Sequence, residues 1–97
     1  MEAELFRHKG QLLVRQGHPE AAEELYRKAL SIAREQEAKL WELRAAVSLA
    51  RLRGDQGHGA EAHDMLAPIY SWFTEGFDTP DLREARAMLE KLRSSPS

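Results

Sequence analysis

The residues able to do chemistry in this 97-residue chain are four histidines, scattered carboxylates, Ser48 and several arginines that share helix faces. Cysteine is absent, which excludes disulfides, thiolate metal ligands and a sulfur nucleophile. His58 and His63 are five residues apart and diverge on a helix, whereas a zinc pair shares a face and recruits a third ligand. His8 and His18 have no better-placed companion. The carboxylates of Glu23-Glu24 and of Glu35 and Glu37 lie one or two residues apart, a spacing that does not aim both at one substrate. Ser48 stands in an apolar run with no histidine placed to form a hydrolase triad. Gly54, Gly57 and Gly59 cluster, but no Lys-Ser/Thr pair follows and no strand precedes them, so they read as turn glycines rather than a phosphate loop. No catalytic residue, metal ligand or cofactor is expected, and the chain does not read as an enzyme by itself. The arginines remain: Arg7 shares a face with Gln11 at i+4, Arg44 and Arg51 share another at i+7, and guanidinium forks suit carboxylates.

Helices must position these side chains. Ala3, Phe6, Gly10 and Leu13, with Leu5 and Leu12 beside them, recur at helical spacing and predict a first helix over 2–16. Gly17 suits a helix end and Pro19 the first turn of a second helix over 19–35, whose apolar face is Ala22, Leu25, Tyr26, Ala29, Ile32 and Ala33. A third helix carries Leu40, Leu43, Ala46, Val47 and Ala50, joined by Trp41, Ala45, Leu49 and Leu52, so it is apolar around much of its circumference and belongs between neighbours. Gly54 and Gly57 are expected to end it. Ala62, Met65, Leu66, Ile69 and Phe73 mark a fourth helix with Pro68 inside it, where a bend is expected. Gly76 should end that helix, Asp78 or Thr79 cap the next, and Pro80 begin a fifth through Leu82, Ala85, Met88, Leu89 and Leu92. The aromatic cluster Tyr70, Trp72, Phe73 and Phe77 reads as a core plug under this last helix. Residues 94–97 are expected to fray.

Between the second and third helices, residues 34–39 contain neither glycine nor proline, and the break is placed by an internal repeat. A shift of 40 residues superposes Gln16-Gly17-His18 on Gln56-Gly57-His58, Ala22 on Ala62, Leu12 on Leu52 and Gly10 on Ala50, a period typical of helical solenoids. The second helix therefore ends near 36. Phe6, Gly10, Gly17, Ala22, Tyr26 and Ala29 stand at the spacing of the tetratricopeptide repeat, which the first hairpin resembles except that Lys9 replaces the usual leucine and Arg34 stands near the family's terminal proline. The second hairpin keeps Leu49, Ala50, Gly57, Ala62 and Leu66 but has Ala46 at the large position and Ile69 at a small one. The small residues Gly10 and Ala50 are expected to admit the partner helix near Ala22 and Ala62. This resemblance implies an all-α, right-handed superhelical array: hairpin 1 over about 2–36, hairpin 2 over about 38–75, a capping helix over about 80–93, one domain over 1–93 and a flexible tail over 94–97. The runs 43–52 and 66–82 further resemble the carboxy-terminal end of large bacterial regulators that carry a predicted ATPase module with a class III nucleotide cyclase or a winged-helix domain. That resemblance covers nearly the whole chain. It implies a fragment of a longer protein, with any catalytic parts elsewhere.

In tetratricopeptide arrays the first helix of each hairpin lines a concave groove. The matching positions are Arg7, Gln11, Val14, Arg44, Val47 and Arg51, a candidate peptide-binding face, although such arginines commonly pair with neighbours such as Glu4 and Asp55. Leu5 and Leu12 occupy the repeat positions of Ala45 and Leu52 with no preceding hairpin to cover them, which implies a self-association edge and a possible homodimer through the first helix. The expected function is a non-catalytic scaffold that binds a protein, a peptide or other domains of its parent. The alternatives are a regulatory domain sensing a small ligand near Trp72 and Phe77, or a structural cap of a longer solenoid. Net charge is -2 and the pI about 6.1, without the basic surplus that binds a phosphate backbone, so nucleic acid is not an expected partner. No apolar run approaches the ~18 residues of a membrane span, and residues 1–20 lack the order of a signal peptide; the cytoplasm is the expected location.

Overall fold

The computed structural model describes residues 2–73 and 79–94, and among them it is all-helical, with 86% of residues in helices and no strand. The helices are α1 (Glu2–Arg15), α2 (Pro19–Glu35), α3 (Lys39–Asp55), α4 (Gly59–Ser71) and α5 (Pro80–Ser94). Gly76, Asp78 and Phe77, and the tail beyond Ser94, lie outside the described residues; Ser94 itself is helical. Gly54 lies within α3, which runs on to Asp55. α4 continues through Pro68 to Ser71.

Three turns share one geometry at 20-residue intervals. Gly17, Glu37 and Gly57 have φ of 84°, 54° and 85°, the left-handed region. At each, the N–H of the left-handed residue donates to a carbonyl three residues back (Val14, Arg34, Gly54; 3.1 Å in each), and the next N–H donates five back (Leu13, Ala33, Arg53; 2.8, 2.9 and 2.9 Å). This Schellman pattern closes three successive helices. Glycine adopts the conformation freely, but Glu37 does so at a cost of about 1–2 kcal/mol. Gln16, Gln36 and Gln56 each precede the left-handed residue. Thr79 starts α5, its hydroxyl accepting from the Leu82 N–H at 3.3 Å.

Each helix packs on its neighbours in sequence, and α3 also meets α1 and α5, whereas no Cα of α2 comes within 8 Å of α4. The result is two layers, α1–α3–α5 and α2–α4, in a slab of 37 × 35 × 19 Å whose thickness is that of two helices at ~10 Å each. α3 lies at the centre. Nine of its residues are buried, including Leu43, Leu49 and Ala50, and its broad apolar circumference follows from being enclosed on several sides. Two patches join there. The larger holds Leu30, Leu43, Val47, Leu66, Leu82 and Met88, and the smaller Ala22, Tyr26, Leu49 and Leu52.

Three expectations are corrected. Leu40 is 40% exposed in the first turn of α3 rather than part of the buried stripe. Trp72 is 59% exposed, edge-on to Phe73 with ring centroids 5.0 Å apart and the Lys39 ammonium 5.3 Å from its ring, so it is no core plug; Tyr70 and Phe73 are the half-buried aromatics. The close approach at Gly10 is to the ring of Tyr26, whose Cε1 lies 2.6 Å from where a Cβ would stand, and not to the backbone at Ala22.

Candidate functional site

The open face of the α1–α3–α5 layer carries a ladder of ion pairs. The fork of Arg44 donates from Nε and Nη2 to the two carboxylate oxygens of Asp81 at 3.0 and 3.1 Å, while its Nη1 donates to Glu4 Oε1 at 2.7 Å. Glu4 Oε2 accepts from Arg7 Nε at 2.6 Å. Further along α3, Arg51 Nη2 donates to Glu84 Oε1 at 2.6 Å. Three arginines thus meet three carboxylates across three helices, and the face is close to neutral. Burial pushes the Glu4 carboxyl up, but hydrogen bonds from Arg7 and Arg44, together with their charges, outweigh it and hold the group below the usual carboxylate range. Asp81 first, and Glu4 second, raise the Arg44 guanidinium above its ordinary value.

A cleft of about 210 Å³ opens among Arg7, Arg44, Val47, Ser48, Asp81 and Glu84. Of the sequence-derived groove residues it gathers Arg7, Arg44 and Val47; Arg51 stands on its rim with Glu84, while Gln11 and Val14 do not line it. Arg51 pairs with Glu84 and not with Asp55. An acidic ligand here competes with Asp81 and Glu84 for the same guanidinium donors. The volume falls short of the ~300–1,000 Å³ of small-molecule sites and suits a single side chain. Sequence reasoning missed Ser48, Asp81 and Glu84 as members of this face. The repeat held a signal: Glu4, Arg44 and Glu84 stand 40 residues apart, an acid–base–acid series along the layer.

At the outer edge of α1, Leu5 and Leu12 are 52% and 53% exposed. Beside them an open groove of about 510 Å³ runs between α1 and α2, lined by Leu13, Ala21, Glu24, Leu25, Arg27 and Lys28. Among the described residues no group of three His, Asp or Glu side chains is placed to hold a metal, and no helix is long and apolar enough to cross a membrane. No family model matches the chain, and no curated protein or solved structure is significantly similar to it.

Proposed function

We propose that this chain is a non-catalytic interaction module, a tetratricopeptide-like superhelical segment that scaffolds a larger bacterial signalling or regulatory protein. The observation that carries the reading is the register: the same turn recurs at Gly17, Glu37 and Gly57, and α1, α3 and α5 form one layer with related residues at related positions. Such a layer offers an extended face to a protein segment, and the small cleft beside Val47 and Ser48 receives one side chain of it. The outer side of α5 exposes Arg83, Arg86, Ala87, Glu90 and Lys91, a polar surface suited to the closing end of a solenoid. The resemblance of the runs 43–52 and 66–82 to the carboxy-terminal end of bacterial regulators with a predicted ATPase module and a cyclase or winged-helix domain supports this reading. Selection of displayed peptides against the chain, followed by amide-shift mapping, tests the binding role. Selected peptides are expected to shift Arg7, Arg44, Val47 and Ser48; a set that leaves all four unmoved overturns it.

A further inference from the structure

The surface of the first helix that faces backwards along the stack occurs three times. Leu5, His8, Lys9 and Leu12 of α1 correspond to Ala45, Ser48, Leu49 and Leu52 of α3 and to Ala85, Met88, Leu89 and Leu92 of α5. On α3 these positions are 1%, 5%, 2% and 5% exposed; on α5 Ala85, Met88 and Leu92 are 0%, 6% and 4% exposed and Leu89 is half-buried. On α1 all four are exposed. The α3 copy is covered by the preceding hairpin: Leu49 and Leu52 cluster with Ala22 and Tyr26 of α2 and with Leu13 of α1. The neighbouring groove repeats the pattern. Forty residues on from Leu13, Ala21 and Leu25 stand Arg53, Glu61 and Met65, which line a cleft of only about 190 Å³ that Arg27 of the preceding hairpin helps to close. The 510 Å³ groove is the same feature one repeat earlier, without its cover.

Resting on the reading of the chain as a solenoid segment, we propose that the edge formed by Leu5, Leu12 and Leu25 docks an amphipathic helical hairpin of a partner, stacked as α1–α2 stacks on α3–α4 and presenting a basic rather than an acidic residue opposite Glu4. Two helices are required, because α3 is covered by both α1 and α2. The basic residue follows from the existing joint, where the upstream hairpin supplies Glu4 to Arg44; one repeat earlier Glu4 itself stands in the place of Arg44, so the residue facing it must be of opposite charge. A second copy fits less well. Antiparallel pairing of two α1 helices sets Leu5 against Leu12 and places the symmetry axis near Lys9, bringing like charges together. Head-to-tail stacking would offer the polar outer side of α5.

The probe is a hairpin of known sequence: residues 1–40 of this chain with Glu4→Lys, fused directly ahead of Met1 so that the 40-residue register continues. The change removes the clash of the added Glu4 with the native one, which stands where the existing joint has Arg44. Docking is expected to slow amide exchange in native α1 by about tenfold or more and to raise the thermal midpoint by roughly 4 °C or more. Leu5→Glu with Leu12→Glu in the native part should abolish both gains, while leaving the midpoint of the unfused chain within about 2 °C. Unchanged α1 exchange in the fusion, or gains that survive the double substitution, overturn the proposal. So does a native chain that sediments as a dimer dispersed by those substitutions, since the occupant is then a second copy. Failure here with peptides still mapping to Arg44 and Val47 sinks the edge alone; failure of both sinks the interaction module.

Discussion

In the first hairpin Gly10 lies under the ring of Tyr26, and forty residues later Ala50 and Leu66 take those two places. All but Gly10 are at most 3% exposed, and Gly10 itself is buried. The larger side chain goes with the smaller partner: a ring requires no Cβ on the facing helix, while leucine tolerates one. The repeat therefore trades size between two positions on facing helices rather than keeping a residue, as close packing requires. This explains why the second hairpin fits the tetratricopeptide spacing loosely while keeping the same turns and layers.

The comparison breaks or sharpens in four measurements. The largest effect is expected for Leu66→Ala, which empties a fully buried site beside Ala50 and should cost about 2–5 kcal/mol in urea unfolding. Gly10→Ala comes next. On an open helix it would gain about 1 kcal/mol, but a methyl 2.6 Å from Tyr26 Cε1 and 2.8 Å from Cδ1 should cost ~1–3 kcal/mol instead. Adding Tyr26→Leu recreates the second hairpin's pair, so the double variant should lose less than the two single losses summed; simple additivity would mean that the two positions are not matched.

The third measurement concerns the joint between the hairpins. Glu4→Gln should cost about 1 kcal/mol, the charge-assisted bonds to Arg7 and Arg44 being partly screened by solvent. The sign with pH follows from the lowered Glu4 group. Its stabilisation is complete above the ordinary carboxylate value of 4.5 and is lost as pH falls through the lower folded value. Acid titration of the thermal midpoint should therefore fall more steeply in the native chain than in Glu4→Gln, and parallel curves would remove Glu4 from the account. The smallest effect has the opposite sign. Glu37→Gly relieves a left-handed conformation that Gly17 and Gly57 hold without strain, and should stabilise by about 0.5–1 kcal/mol after the entropy of an added glycine is subtracted. A loss would show that the Glu37 side chain contributes something the backbone geometry does not reveal.

Much of the fold could be read from the sequence because periodicity and punctuation agree at Gly17, Pro19, Gly57 and Pro80. The turn at 36–38 has neither glycine nor proline and is placed by the 40-residue repeat, while Gln16, Gln36 and Gln56 at 20-residue spacing mark the same turn more directly. Leu40 and Trp72 were misplaced because an apolar stripe says which way a side chain points, not how far the covering helices extend. The arginine face was visible as shared spacing, but its partners were not. Asp81 and Glu84 are 37 and 33 residues distant from the arginines they meet, in a helix whose apolar residues drew the reading toward packing.

Since α3 touches every other helix, and α1 and α4 meet only their neighbours within a hairpin or one helix beyond, no contact between helices requires closing more than about one repeat of chain. The order of folding should reflect this. Structure can nucleate on α3 and spread outward in both directions, with the terminal helices α1 and α5 joining late, since each is clamped on one side only. A pull on the amino terminus would therefore draw out α1 while α3 stays closed on α4 and α5, so that the edge bearing Leu5 and Leu12 is the first surface such a force disturbs.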